Sequence, residues 1–545
     1  MLSRQYTITT ILALLIPLTP AQNASLYTPC PLLGPSFPPP TIDPTSSALK
    51  SAFSLFTQSI DSYIAKADGT FGPITPNITS FSMGIFAGSN LVGSSSSSPL
   101  FYEYHHSATG AYSQVDSESV YAAGDLTQIF TVLASLLELG VEAWEMSIVE
   151  FLPELEHAST GDVLRGVRWR DVTLGALAAH LGGVVRDSDA CRLNEPCGRQ
   201  TFLRKLAKKA PVYLPDTTPV FSHAAFQLIA FAIEAKCRRP FATVLQERIL
   251  SKLNMSSTSL LSKTSSTPFG AGLSNTYTLG EPASLSLLTS THDLALFGHS
   301  LLTSSLLPAA ITRRWLKPFA STSNIANAVG RPWEIYHYAS KRTNPIVDVY
   351  TKSATVGRYS SYFGVSPDNE VGFSILAVNS EGEAPDLNAY ADLMLFALLQ
   401  IQELGRKEAQ AAYVGTYTSR GEASSISLNV TEGDPGLAVT HLSINGTDWL
   451  AKTAEQSGIA RTENLDFRLY PTNLVDGQKR VWQGVIQDKS ALVDAGTPTC
   501  ITWQFVGELV RDGLALDQFV IELGDNGEAI VVEWPALGLN FQRSE

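Results

Sequence analysis

From about residue 411 the chain changes its repeat. Ala411-Ala412-Tyr413-Val414-Gly415-Thr416-Tyr417 opens a stretch of short alternating polar and apolar runs, separated by turn residues, that continues to the C-terminus. Alternation at period two puts successive side chains on opposite faces of a strand, so residues 406–545 read as an all-β domain. Upstream the spacing is mixed. Residues 48–64 place Leu49, Phe53, Phe56, Ile60 and Ile64 at helical intervals. Residues 81–86 and 100–104 read as strands, and about 120–310 is mostly helical. Residues 359–378 read as two strands joined at Ser366-Pro367-Asp368-Asn369, and 389–404 as a strongly apolar helix. Helices mixed with strands, followed by strands alone, predict an α/β domain with a β domain attached.

At 545 residues, with 16% charged and 44% hydrophobic side chains, the chain is globular and long enough for two or three domains. A net charge of −13 with no block of Lys or Arg argues against a nucleic-acid partner. Residues 1–21 read as a signal peptide: Arg4, an apolar stretch over 8–18, then Thr19-Pro20-Ala21. That stretch is too short to cross a bilayer, and no later run reaches about 18 apolar residues, so no membrane span is expected and the predicted destination is secretory. Five N-x-[ST] sequons, at Asn23, Asn77, Asn254, Asn429 and Asn445, agree with a glycosylated, exported chain. Residues 22–44 form a Pro-rich arm that cannot be helical and is expected to lie extended over the surface. In an oxidising compartment Cys191 and Cys197 can close a small loop, and the odd count of five cysteines leaves a thiol over. No C-x-x-C or H-E-x-x-H occurs, so neither metal nor cofactor is expected.

The segment that carries most chemistry is Tyr121-Ala122-Ala123-Gly124-Asp125-Leu126-Thr127-Gln128-Ile129-Phe130-Thr131. Ile129, Leu133, Leu136 and Leu137 mark one helix face, which puts Asp125 and Gln128 at the helix start. Asp-x-x-Gln in that place is close to a capping box, the plain structural explanation. Four more segments follow in order: Thr173-Leu174-Gly175-Ala176-Leu177-Ala178-Ala179-His180-Leu181-Gly182-Gly183; Pro215-Asp216-Thr217-Thr218-Pro219-Val220-Phe221-Ser222-His223-Ala224-Ala225-Phe226; Ser290-Thr291-His292-Asp293-Leu294-Ala295; and Lys352-Ser353-Ala354 with Gly357-Arg358-Tyr359-Ser360-Ser361. As an ordered set they resemble the β-lactamase-like serine hydrolase family, whose nucleophile motif is S-x-x-K. The resemblance covers about 45–405, and 406–545 is similar to the extra domain of secreted fungal members. It implies a β-lactamase/transpeptidase-like antiparallel sheet flanked by helices, with a C-terminal all-β domain.

The departures fall in the site itself. Asp125 replaces the family's serine, Gln128 its lysine, Phe221 its tyrosine, His223 its asparagine and Ala354 the glycine of K-[ST]-G; Lys352 and Ser353 are kept. Covalent serine chemistry needs a hydroxyl with an adjacent base, so β-lactamase, D-peptidase or esterase activity is not expected. The true S-x-x-K, Ser47-Ala48-Leu49-Lys50, lies in the N-terminal helix and reads as a solvated face. What the resemblance implies for the altered site is a catalytic group of Asp125, His223 and Lys352. Asp125 would be a charged base at a helix N-terminus, paired with Lys352, and His223 the proton carrier, unless it is only a hydrogen-bonded pocket histidine. His180 reads as structural. Gln128, Phe221, Ser353 and Ala354 would line the pocket, where Phe221 suits an apolar small-molecule ligand. Two functions follow. One is a repurposed enzyme acting non-covalently on an apolar small molecule, as in secondary-metabolite biosynthesis. The other is a secreted, catalytically inactive pseudoenzyme that binds a ligand or partner.

Overall fold

The computed structural model describes residues 27, 29–70, 72–93, 98–109, 114–158, 162, 164–187, 198–261, 281–338, 346–421, 423–491 and 500–544. Its first part is built on one antiparallel sheet of eight strands: β1 (Thr79–Ala87), β2 (Leu100–His106), β3 (Ala320–Ser321), β4 (Asn327–Val329), β5 (Glu334–Tyr338), β6 (Val347–Val356), β7 (Tyr359–Ser366) and β8 (Val371–Asn379). Their order across the sheet is β2-β1-β8-β7-β6-β5-β4-β3. The long helices are α1 (Ser47–Lys66), α2 (Thr127–Leu139), α3 (His223–Cys237), α4 (Thr291–Leu302) and α5 (Asn388–Tyr413).

Both sheet faces are covered, and the strand sequences say why. Phe81, Met83 and Ile85 alternate onto one face with Phe373 and Ile375, under α1 and α5. Phe86, the next residue after Ile85, points to the other face, where it joins Phe363, Leu376 and the buried sides of α2, α3 and α4. Helix α1 begins where Ser46 accepts the Leu49 N–H at 3.2 Å, and it buries Leu49, Phe53, Phe56 and Ile60 as its spacing predicts. Ser47 and Lys50 are exposed, so the intact S-x-x-K does lie on a solvated face. The β7–β8 hairpin turns at Pro367–Asn369, as expected. Helix α5 is longer than its apolar core: it runs through residues 405 and 406, stopping at Tyr413, next to the first strand of the C-terminal part.

That part is a closed barrel. Strands β9 (Gly415–Thr418), β10 (Ser425–Asn429), β11 (Leu437–Ile444), β12 (Leu465–Asp476), β13 (Lys479–Asp488), β14 (Gln518–Leu523), β15 (Ala529–Trp534) and β16 (Leu539–Arg543) each pair with the next, and β16 pairs back with β9. Closure removes both sheet edges. Phe467, Trp482, Phe519, Trp534 and Phe541 fill its core.

The described part of the Pro-rich arm holds no helix, and it touches both parts. Tyr27 donates to Asp466 at 2.5 Å, and the Thr41 N–H donates to Glu408 at 2.9 Å. Cys30 is joined to Cys500 by a disulfide that sequence spacing did not single out. Cys191 and Cys197 lie outside the described residues, among which Cys237 is a free thiol. Asn77, Asn254, Asn429 and Asn445 are exposed; Asn23 is outside the described residues. Among the described residues no helix is long and apolar enough to cross a membrane.

Candidate functional site

The site forms where the short strand Tyr121–Gly124 meets β6. Gly124 has φ 51°, and a Cβ there would lie 3.1 Å from that of Ala354. Only glycine both takes this conformation readily and lets the strand press on β6. The chain then turns into α2, and Asp125 is left at the floor of a cavity of about 360 Å³. Arg186, Phe221, Glu334, Ser353, Ala354, Tyr362 and Leu387 are among its walls.

Asp125 does not cap α2. Leu126 is the N-cap, and no side chain bonds the first-turn N–H groups. The capping-box expectation is therefore corrected: the Gln128 amide donates to the Asp125 carboxylate itself, at 2.8 Å. Gln128 also donates to Ser284 at 2.9 Å and is fully buried, so it braces Asp125 and does not line the cavity.

His223 is the second neighbour of Asp125. Ser222 caps α3, accepting the Ala225 N–H at 3.1 Å and donating to the Val185 carbonyl at 2.7 Å, while the His223 N–H donates to the Arg186 carbonyl at 2.8 Å. These bonds pin the 181–187 loop against the helix start. Asp187 is thereby brought 2.6 Å from His223 Nδ1, while Nε2 lies 3.0 Å from Asp125 Oδ1. The ring N–H does not align on Asp125, so that contact is an ion pair more than a hydrogen bond. Burial opposes a charge on His223, but the two carboxylates outweigh it and raise the imidazole above its ordinary range. Gln128 and His223 both meet Oδ1 of Asp125, and neither meets Oδ2.

Lys352 does not pair with Asp125. Its ammonium, fully buried on β6, is held by Glu334 of β5. Glu334 also accepts from the Ser353 N–H at 3.0 Å and from its hydroxyl at 2.8 Å. The expected Asp125–Lys352 pair is corrected for a geometric reason: the neighbouring strand supplies a nearer carboxylate. Phe221 stands between these groups. Lys352 lies 5.1 Å and Arg186 4.8 Å from its ring centre, and His180 stacks on it at 5.1 Å. His180 is buried, neither ring nitrogen makes a well-formed hydrogen bond, and burial with the charge of Lys352 lowers it to about 3. It is a neutral packing group.

Of the residues singled out from sequence, Asp125, Phe221, Ser353 and Ala354 line the cavity, His223 adjoins Asp125, and Gln128 and Lys352 are sealed behind it. Asp187, Glu334 and Arg186 were not anticipated; each lies outside the motif positions. Among the described residues no cluster of three His, Cys, Asp or Glu is placed to hold a metal ion.

Comparison with known proteins gives concordant matches. The β-lactamase family model matches residues 94–399, and a model described as the C-terminal domain of β-lactamase-like-like proteins matches 405–545. A β-lactamase-like protein of Arthroderma benhamiae is 26% identical, over 96% of this chain and 97% of its own length. The β-lactamase-like protein str6 of Strobilurus tenacellus is 30% identical over 27% of this chain and 49% of its own. A solved β-lactamase/D-alanine carboxypeptidase from Yersinia pestis, complexed with citrate, aligns over 66% of this chain and 99% of its own, with 16% identity and a TM-score of 0.48.

Proposed function

The chain belongs to the β-lactamase family, and on that premise we propose that it is an enzyme whose covalent serine chemistry has given way to non-covalent acid–base or electrostatic catalysis by a carboxylate. The observation that carries this reading is the Asp125–His223–Asp187 row, at 3.0 and 2.6 Å, whose Asp125 end lies on the floor of the cavity. Asp125 is the group that meets the ligand. His223 is a positioning residue: it holds a compensating positive charge against Oδ1 and keeps Oδ2 turned to the cavity. A carboxylate so fixed can take a proton from a bound molecule, or stabilise positive charge that develops on it.

Two wall serines are already engaged and do not take the nucleophile's role. Ser353 donates to Glu334 at 2.8 Å, and Ser361 donates to the Ala123 carbonyl at 2.9 Å. The ligand is a small molecule, by the size of the cavity. Phe221, Ala354, Tyr362 and Leu387 suit an apolar body, with Asp125 and Arg186 at its polar end. Export of the protein is supported by the Cys30–Cys500 disulfide and by four exposed sequon asparagines.

The test has two stages. Incubation of the full chain with a fluorescent penicillin and a fluorophosphonate leaves no adduct, by mass spectrometry, on any residue of the cavity. On a substrate found by screening, Asp125→Asn abolishes turnover while the melting temperature stays nearly unchanged. An adduct in the cavity, or full turnover by Asp125→Asn, overturns the reading. Ligand binding in both wild type and variant, with turnover in neither, would make the protein a binding member of the family instead.

A further inference from the structure

The barrel holds a second cavity, of about 490 Å³, far in sequence from Asp125. It opens where the barrel core meets the helix Trp449–Gln456 and the 502–517 segment. Its walls are aromatic. Trp449 and Trp534 meet edge to face at 5.6 Å, Phe467 comes from the buried row of β12, and Phe505 stands 55% exposed at the rim. A volume of this size suits one small molecule, and eight-stranded barrels are a common housing for one.

Two acidic side chains stand among the polar groups of these walls. Asp517 gives one carboxylate oxygen to the Gly507 N–H at 2.7 Å. Its other oxygen, Oδ1, is buried and has no hydrogen-bond partner, a costly arrangement unless something supplies a donor. Glu508 adds a second carboxylate, and neither acid has an ion-pair partner among the described residues. Lys452 lies 5.4 Å from the centre of the Trp449 ring, and no Lys or Arg is part of the cavity wall. Aromatic faces attract cations, and a buried free carboxylate oxygen prefers a charged donor. From the Asp517 carboxylate in the wall of an aromatic cavity that no Lys or Arg lines, we propose that the barrel binds a lipophilic amine, its ammonium on Asp517 and its apolar body between Trp449, Trp534 and Phe467.

Calorimetric titration of the full chain tests this with 1-naphthylmethylamine and its neutral counterpart, 1-naphthalenemethanol. The amine binds saturably at one site, more tightly than the alcohol. Asp517→Asn keeps an acceptor for Gly507 and weakens the amine by about tenfold or more, with little effect on the alcohol. Trp449→Leu weakens both. Should Asp517→Asn fail to fold by circular dichroism, Glu508→Gln and Trp449→Leu carry the same comparison. The proposal is overturned if the amine does not bind, if amine and alcohol bind equally, or if Asp125→Asn abolishes amine binding while Asp517→Asn leaves it intact, which would place the amine in the first cavity.

Discussion

Removing the charge of Glu334 tests the correction made at Lys352. Lys352 is fully buried, and the Glu334 carboxylate is its recorded ion-pair partner. Glu334→Gln keeps the side chain's shape and an acceptor for Ser353, but leaves the ammonium without its counter-charge. Breaking a fully buried pair from one side costs about 3–5 kcal/mol. The Glu334 side chain is 32% exposed, so water screens part of that; the expected loss is about 2–3 kcal/mol. Lys352→Met is milder, at about 1 kcal/mol, because Glu334 can still accept from Ser353 and reach solvent. The double variant Glu334→Gln with Lys352→Met removes the stranded charge. It should therefore be more stable than Glu334→Gln alone, with a coupling of about 1–3 kcal/mol. Urea unfolding of the full chain gives these values. Tryptophan emission reports on the region directly, since Trp333, next to Glu334, is buried 5.5 Å from Trp315. Wild-type stability in Glu334→Gln, or simple additivity in the double variant, would refute the pairing.

Other outcomes follow from the same geometry. The raised imidazole of His223 makes its stabilisation complete below about 6.5 and lost as pH climbs through the higher folded value. His223→Gln should thus flatten the melting temperature against pH above 6.5, and an unaltered profile would count against the Asp125–His223–Asp187 row. His180 runs the other way. Burial keeps it neutral to about 3, so between 6.5 and 3 the unfolded chain takes up a proton that the folded chain refuses, and stability falls with pH. His180→Asn, which tolerates the residue's φ of 61°, should reduce that acid sensitivity in pH-dependent melts. The Cys30–Cys500 bond spans 470 residues. Cys500→Ser should cost about 2–5 kcal/mol and speed proteolysis within 27–41; an arm that remains resistant would mean its hydrogen bonds suffice to hold it.

What could be read before the structure was whatever rests on local order. The face of α1, the β7–β8 hairpin and the change of repeat near 411 are set by neighbours in sequence, so spacing reveals them. The ordered motifs likewise located Asp125, Phe221 and His223 near one another, because strand and helix order carries them to a common place. Partner choice among charges is a different matter. Asp187 reaches His223 only because Ser222 and the His223 N–H tie down a loop more than thirty residues upstream, and Glu334 reaches Lys352 only through the pairing of β5 with β6. Neither carboxylate belongs to a motif, and neither spacing is helical or hairpin-like. The misassignment of Lys352 to Asp125 came from carrying over a pairing while the residue that competes for it went unseen. The altered site is therefore two separate charge systems, Glu334 with Lys352 and Asp125 with His223 and Asp187. In the second of them, His223 meets Oδ1 of Asp125, and Oδ2 is the oxygen that the proposed function gives to a ligand.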